Sequence, residues 1–162
     1  MLRFIDRLAP LAPSTLTLHV RCEAASSPPR RPWKEAVQRS LAELVAAVAD
    51  PARLSVETLD YPLEWLEDVI AAFGLSVCMD IGHLLLRGQD LDLFFRRFES
   101  RISIIHLHGV DNGRDHQPLT RMPPSSAAAV RRLLSEYVGI VSLEVFSFEA
   151  LTASLEWLEN HV

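Results

Sequence analysis

Five apolar, strand-length runs in this chain each end in a carboxylate or a histidine: Leu16 to His19, Leu54 to Glu57, Ser76 to Asp80, Ile102 to His106 and Ile140 to Glu144. The runs are nearly continuous in apolar character, as strands covered on both faces are. In a parallel sheet all carboxyl ends lie on one edge, so His19, Glu57, Asp80, His106 and Glu144 are expected on one rim. A single polar residue at a strand end says little, because the chain is leaving the core there. Five in succession, restricted to Glu, Asp and His, form a donor set for a divalent cation. The C-terminal rim of an α/β barrel is where such sites are built. The competing reading of the set is a solvated rim, and for Glu57, Asp80 and His106 a structural ion-pair network inside the barrel mouth.

Helical stripes fill the gaps between the runs. Trp33, Val37, Leu41, Leu44 and Val48 form one, and Leu63, Leu66, Ile70 and Phe73 another, which Gly74 stops. Leu91, Phe94 or Phe95, and Phe98 form a third, following Asp90, a helix-capping residue. Pro123-Pro124-Ser125 opens a helix through Val130 and Leu134, and Ser147 precedes the last stripe of Leu151, Leu155 and Leu158. Strand and helix alternating in this way predict an α/β fold with parallel strands and right-handed crossovers. Residues 1–162 read as one domain. Two stretches break the rhythm, a proline-rich loop at 24–32 and a second loop at 109–122 with the turn dipeptide Asn112-Gly113. The three tryptophans, Trp33, Trp65 and Trp157, fall on helical stripes and read as core.

Charge and composition exclude several classes of function. The net charge is −5, and the one basic cluster, Arg30 to Lys34, is broken by a proline. Duplex nucleic acid needs a basic stripe that is absent here. No apolar run has the length to span a bilayer. The first residues are too charged for a signal sequence, and the two cysteines, Cys22 and Cys78, do not make a disulfide framework. The expectation is a cytoplasmic protein acting on a small-molecule substrate.

Cys78-Met79-Asp80-Ile81-Gly82-His83 resembles the Asp-x-Gly-His signature of the xylose isomerase-like TIM barrels. Val56-Glu57-Thr58, Ile105-His106-Leu107 and Leu143-Glu144 resemble the Glu, His and closing Glu strands of that superfamily. It includes sugar isomerases and epimerases as well as endonuclease IV-like phosphodiesterases. The resemblance implies that Glu57, Asp80, His106 and Glu144 hold a divalent cation, with Mn, Zn or Co suiting the mixed set better than Mg. It implies that His83 contacts substrate or a second metal, and that His19 and His116 are further metal-site histidines of the phosphodiesterase branch. Glu57, Glu144 and His83 are then the catalytic candidates. His108, Arg114 and Asp115 are candidates for substrate contact, Arg114 because a guanidinium fork fits phosphate.

A narrower likeness runs through Glu57 to Pro62, Asp80 to Leu84, His106 to Val110 and Gly113 to His116, which are similar to the cobamide-remodelling phosphodiesterases. It implies hydrolysis of a phosphodiester in a small substrate, such as the nucleotide loop of a cobamide. The alternatives are a metal-dependent sugar isomerase or epimerase, and an inactive truncated binding module. Two positions depart from the pattern: Gly109 stands where the family often has Asp, and Asp115 and His116 are adjacent where the branch has Asp-x-His. The barrel of the superfamily has eight strands and takes at least ~200 residues, whereas this chain of 162 shows about five. The runs correspond to the C-terminal five strand-helix units, with Arg3 to Leu8 as the tail of a missing third unit. Completion by an N-terminal segment or by a second copy of the chain is therefore expected.

Overall fold

A computed structural model describes Ile5, residues 7–22 and residues 30–162. The expected helix at Arg3 to Leu8 lies partly outside these residues, as does most of the proline-rich loop. The chain forms two compact units, Met1–Cys78 and Met79–Val162.

The first unit is built on parallel strands β1 (Leu16–Leu18), β2 (Leu54–Glu57) and the start of β3 (Ser76–Asp80). Leu18 pairs with Val56 and Glu57 with Cys78, so His19, one step beyond Leu18, comes level with Glu57. Helix α1 (Arg30–Val45) presents Val37, Leu41 and Leu44 as its buried stripe. It starts earlier than the sequence suggests, with Arg30 to Pro32 already helical, since proline is tolerated in the first turn, where its missing N–H is not needed. Helix α2 (Glu67–Phe73) buries Val69 and Ile70. It ends at Gly74 in the left-handed region (φ 65°), and Leu75 N–H returns to the Ile70 carbonyl at 2.9 Å.

In the second unit, α3 (Ile81–Leu86) begins directly at Asp80, with no intervening loop. Asp80 accepts the His83 N–H at 2.8 Å and so caps this helix. Helix α4 (Leu91–Phe98) is capped by Asp90 and buries Leu91, Phe94, Phe95 and Phe98. Strand β4 (Ile102–Leu107) follows. The stretch after it is a hairpin, not the loop expected from its polar sequence: β5 (Gly109–Asp111) pairs antiparallel with β6 (Arg114–Gln117). Asn112 and Gly113 both have positive φ, 51° and 72°, which a two-residue turn of the primed type requires. A side chain at Gly109 would collide with the backbone of Pro118 and Gln117, so the aspartate common in the family has no room here. Helix α5 (Pro124–Glu136), strand β7 (Ile140–Leu143) and helix α6 (Phe148–His161) complete the unit, with Ser147 capping α6. Strands β4 and β7 are parallel, and His106 lies opposite Ser142.

All five apolar runs are thus strands, and the fold is α/β of the partial (β/α) barrel type. Both cysteines are buried, and neither is in a disulfide. No helix among the described residues is long and apolar enough to cross a membrane.

Candidate metal centre

In the first unit, His19 Nε2 stands 2.6 Å from Glu57 Oε2, as the strand register dictates. Glu57 is 1% exposed, so its carboxylate is held in the strand layer while the His19 ring reaches it from the solvent side.

The second unit gathers seven of the predicted residues. His106 and Ser142 share a level of the sheet, and Glu144 lies two residues on, on the same face by the period of two. His106 Nδ1 accordingly sits 3.1 Å from Glu144 Oε2. The His106 imidazole beside it outweighs burial and holds the Glu144 carboxyl down, to about 2. The charges of His106, His116 and His108 act in the same direction. Oε2 of Glu144 is buried without an aligned hydrogen-bond donor among the described residues.

The hairpin delivers Asp115 and His116. His116 adopts φ 51°, a left-handed conformation that histidine reaches more readily than most residues. Its N–H donates to His108 Nδ1 at 2.8 Å. Its ring stacks on that of His108, with centroids 4.2 Å apart and planes 9° apart. Since Nδ1 accepts, the His108 proton resides on Nε2, which faces the two Asp80 oxygens at 3.1 and 3.3 Å. The Gly109 carbonyl also lies 3.2 Å from Nδ1, but the shorter contact with the His116 N–H decides the tautomer. Burial alone would push the His108 imidazole down. The bond and charge of Asp80 outweigh it, and the group is held above its ordinary value.

His83 Nδ1 is 3.6 Å from Asp80 Oδ2, and its Nε2 is 3.8 Å from Asp115 Oδ2. Asp115 Oδ1 is 3.2 Å from His116 Nδ1, and His116 Nε2 is 3.9 Å from Glu144 Oε1. Burial raises the Asp115 carboxyl, but the bond and charge of His116 lower it further, to below its usual range. Arg114, at the start of β6, is exposed. One member of the cluster was missed in the sequence: Phe146 stacks on His116 at 4.4 Å. Its only clue was its spacing, two residues beyond Glu144.

The donor set fits a divalent cation. Ring nitrogens of His83, His108 and His116 all lie within 4.8 Å of one another; those of His108 are committed to the His116 N–H and to Asp80, which leaves His83 and His116 as the donors. Beside them, His106 and Glu144 supply a further imidazole and a carboxylate, the mixture that Mn, Zn and Co accept.

The family model described as xylose isomerase-like TIM barrel matches residues 3–161. Among solved structures, the 3-keto-D-glucoside 4-epimerase YcjR of E. coli superposes with a TM-score of 0.68 at 18% identity, over 98% of this chain and 67% of its own. The probable 3-DHS dehydratase AsbF of Bacillus anthracis gives 0.70 at 14%, over 99% of this chain and 70% of its own. The TTHB071 protein of Thermus thermophilus, in a crystal soaked with ZnCl2, gives 0.69 at 25%, over 99% of this chain and 66% of its own. No curated protein matches the sequence.

Proposed function

The chain belongs to the xylose isomerase-like TIM barrel family, and on that footing we propose that it is a metal-dependent phosphodiesterase acting on a small substrate. The nucleotide loop of a cobamide is the leading candidate. The observation that carries this reading is the histidine surplus: His83 and His116 converge around the buried His108 in one unit beside the His106–Glu144 pair. An epimerase working through one metal and two carboxylates does not call for that second group of imidazoles, whereas paired metal sites suit phosphoryl transfer.

In this reading Asp80, His106 and Glu144 hold one cation, and His83 and His116 serve a second or the phosphate. Glu57 and His19 remain in the ligand set on the sequence likeness alone. When bound, the cation neutralises phosphoryl charge and acidifies water for attack. Glu144 orients the attacking water, and His83, flanked by Asp80 and Asp115, carries a proton to the departing oxygen where it faces the phosphate rather than a second cation. His108, fully buried with both nitrogens engaged, positions Asp80 and His116 and does not touch substrate. Arg114, exposed on the hairpin, is the group that reaches for phosphate.

The test is a substrate panel on the purified chain loaded in turn with Mn, Zn and Co. A corrinoid phosphodiester and bis-(p-nitrophenyl) phosphate are paired with ketohexoses, following ester cleavage and exchange of the C3 proton. Ester cleavage is the expected result. Proton exchange without it would replace this reading with the sugar isomerase or epimerase that the family equally contains. Stoichiometric metal with neither activity would favour a binding module.

A further inference from the structure

The first unit contains a cavity of about 480 Å³ lined by Arg31, Trp33, Lys34, Glu35, Glu64 and Trp65, among others. None of these residues belongs to the strand-end donor set, and the volume falls within the range of small-molecule sites. The sequence placed both tryptophans in the core; the structure puts them in the wall of this cavity instead. Their rings are fixed. Trp33 meets Trp65 edge to face at 6.2 Å, and Tyr61 packs against both, at 5.0 and 6.3 Å. Trp33 Nε1–H donates to the Arg21 carbonyl at 2.9 Å, which locks that indole without using its face.

The charges in the lining sort into satisfied and unsatisfied groups. Lys34 Nζ is held by both Asp68 oxygens at 2.6 and 2.7 Å, and Arg31 Nε by Glu35 at 3.0 Å. Once these pairs are made, Glu64 is the carboxylate left over. Its Oε2 is buried and has no hydrogen-bond partner among the described residues. A buried carboxylate oxygen in that condition calls for a donor or a positive charge. Two indoles beside it offer an apolar, electron-rich surface that attracts a cation.

We infer that this cavity binds a small organic cation, an alkylammonium with an apolar body, its charge facing Glu64 and its body packed on Trp33 and Trp65. An anion is disfavoured because Lys34 and Arg31 are already neutralised, while Glu64 would repel it.

The experiment titrates the whole chain with three ligands of matched shape and follows tryptophan fluorescence, since two of the three tryptophans line the cavity. The ligands are choline, its neutral isostere 3,3-dimethyl-1-butanol, and the anion 3,3-dimethylbutyrate, all at fixed ionic strength. Choline should give a saturable change, with both isosteres weaker by about tenfold or more. Glu64→Gln should weaken choline by a similar factor. Glu43→Gln, which removes the same charge from an exposed position of α1 outside the lining, should leave choline binding unchanged. The inference is overturned by absence of a saturable choline response, by equal binding of the neutral isostere, by stronger binding of the anion, or by unchanged affinity in Glu64→Gln. The isostere comparison uses the unaltered chain, so it stands whether or not a variant folds.

Discussion

Gly82→Ala tests whether the His108 ring is as tightly placed as the geometry indicates. Gly82 is buried in α3, and a Cβ there would stand 2.6 Å from His108 Nε2 and closer still to Cε1 and Nδ1. Elsewhere in a helix, this change stabilises by up to about 1 kcal/mol. Here the ring must move, and it is 0% exposed with Asp80, also 0% exposed, on one side and the His116 N–H on the other. Overpacking of this kind costs about 1–3 kcal/mol. Leaving a buried acceptor such as the Asp80 carboxylate without its donor adds roughly 1–3 kcal/mol. Set against the helix gain, the net loss is about 1–5 kcal/mol, which for a chain of this size lowers Tm by roughly 2–20 °C. Thermal unfolding followed by circular dichroism measures it, and metal content measured on the same samples should fall. A double variant with His108→Ala separates the collision from a general defect of α3. With the ring gone, Gly82→Ala should cost little more, so the two changes should be strongly non-additive. A Gly82→Ala protein as stable as the parent, or strictly additive effects, would refute the packing argument.

Asp80→Asn should keep the cap of α3, because asparagine caps as well as aspartate, yet lose stoichiometric Mn, Zn or Co in elemental analysis. Undiminished metal would move the centre elsewhere. Acid should destabilise the metal-free chain through Glu144. Its folded pKa is about 2 against an ordinary 4.5, so its contribution is complete above about 4.5 and is lost as pH falls toward 2. Urea unfolding across that window should show this slope, and Glu144→Gln should flatten it. Strand β7 has a strand partner on one side only among the described residues and exposes Ile140 and Val141. Self-association at micromolar concentration is therefore expected by light scattering, with Val141→Lys shifting the chain to monomer. A parent chain that is already monomeric under those conditions would refute this.

The strands were legible because each run changes from apolar to ionisable at the point where it leaves the layer. Helix ends were legible where one residue carries a defined bond: Asp90, Ser147 and the left-handed Gly74 all sit where the sequence put them. Helix α3 was not, because its cap is Asp80, a residue whose strand-end position already suggested metal binding. A single carboxylate performs both tasks, and sequence offers no way to see the second behind the first. The hairpin at 109–117 was hidden for a different reason. Arg114 to Gln117 has no apolar alternation, and its strand character comes from the primed turn at Asn112-Gly113 and from the close backbone approach that only Gly109 allows.

That hairpin decides what the second strand-end histidine does. By the period of two, His108 follows His106 onto the same side if the strand continues, as its candidacy for substrate contact requires. The chain instead turns at Gly109, and the left-handed backbone of His116 aims its N–H at His108 Nδ1. With that nitrogen occupied, the other is committed to Asp80, and His108 becomes the link between the capping carboxylate of α3 and the histidine of the hairpin. If the link works this way, His108→Gln, which can still donate to Asp80 but loses the planar stack on His116, should retain Asp80-dependent metal and weaken only the contribution of His116. Loss of all metal in that variant would instead make His108 itself a ligand.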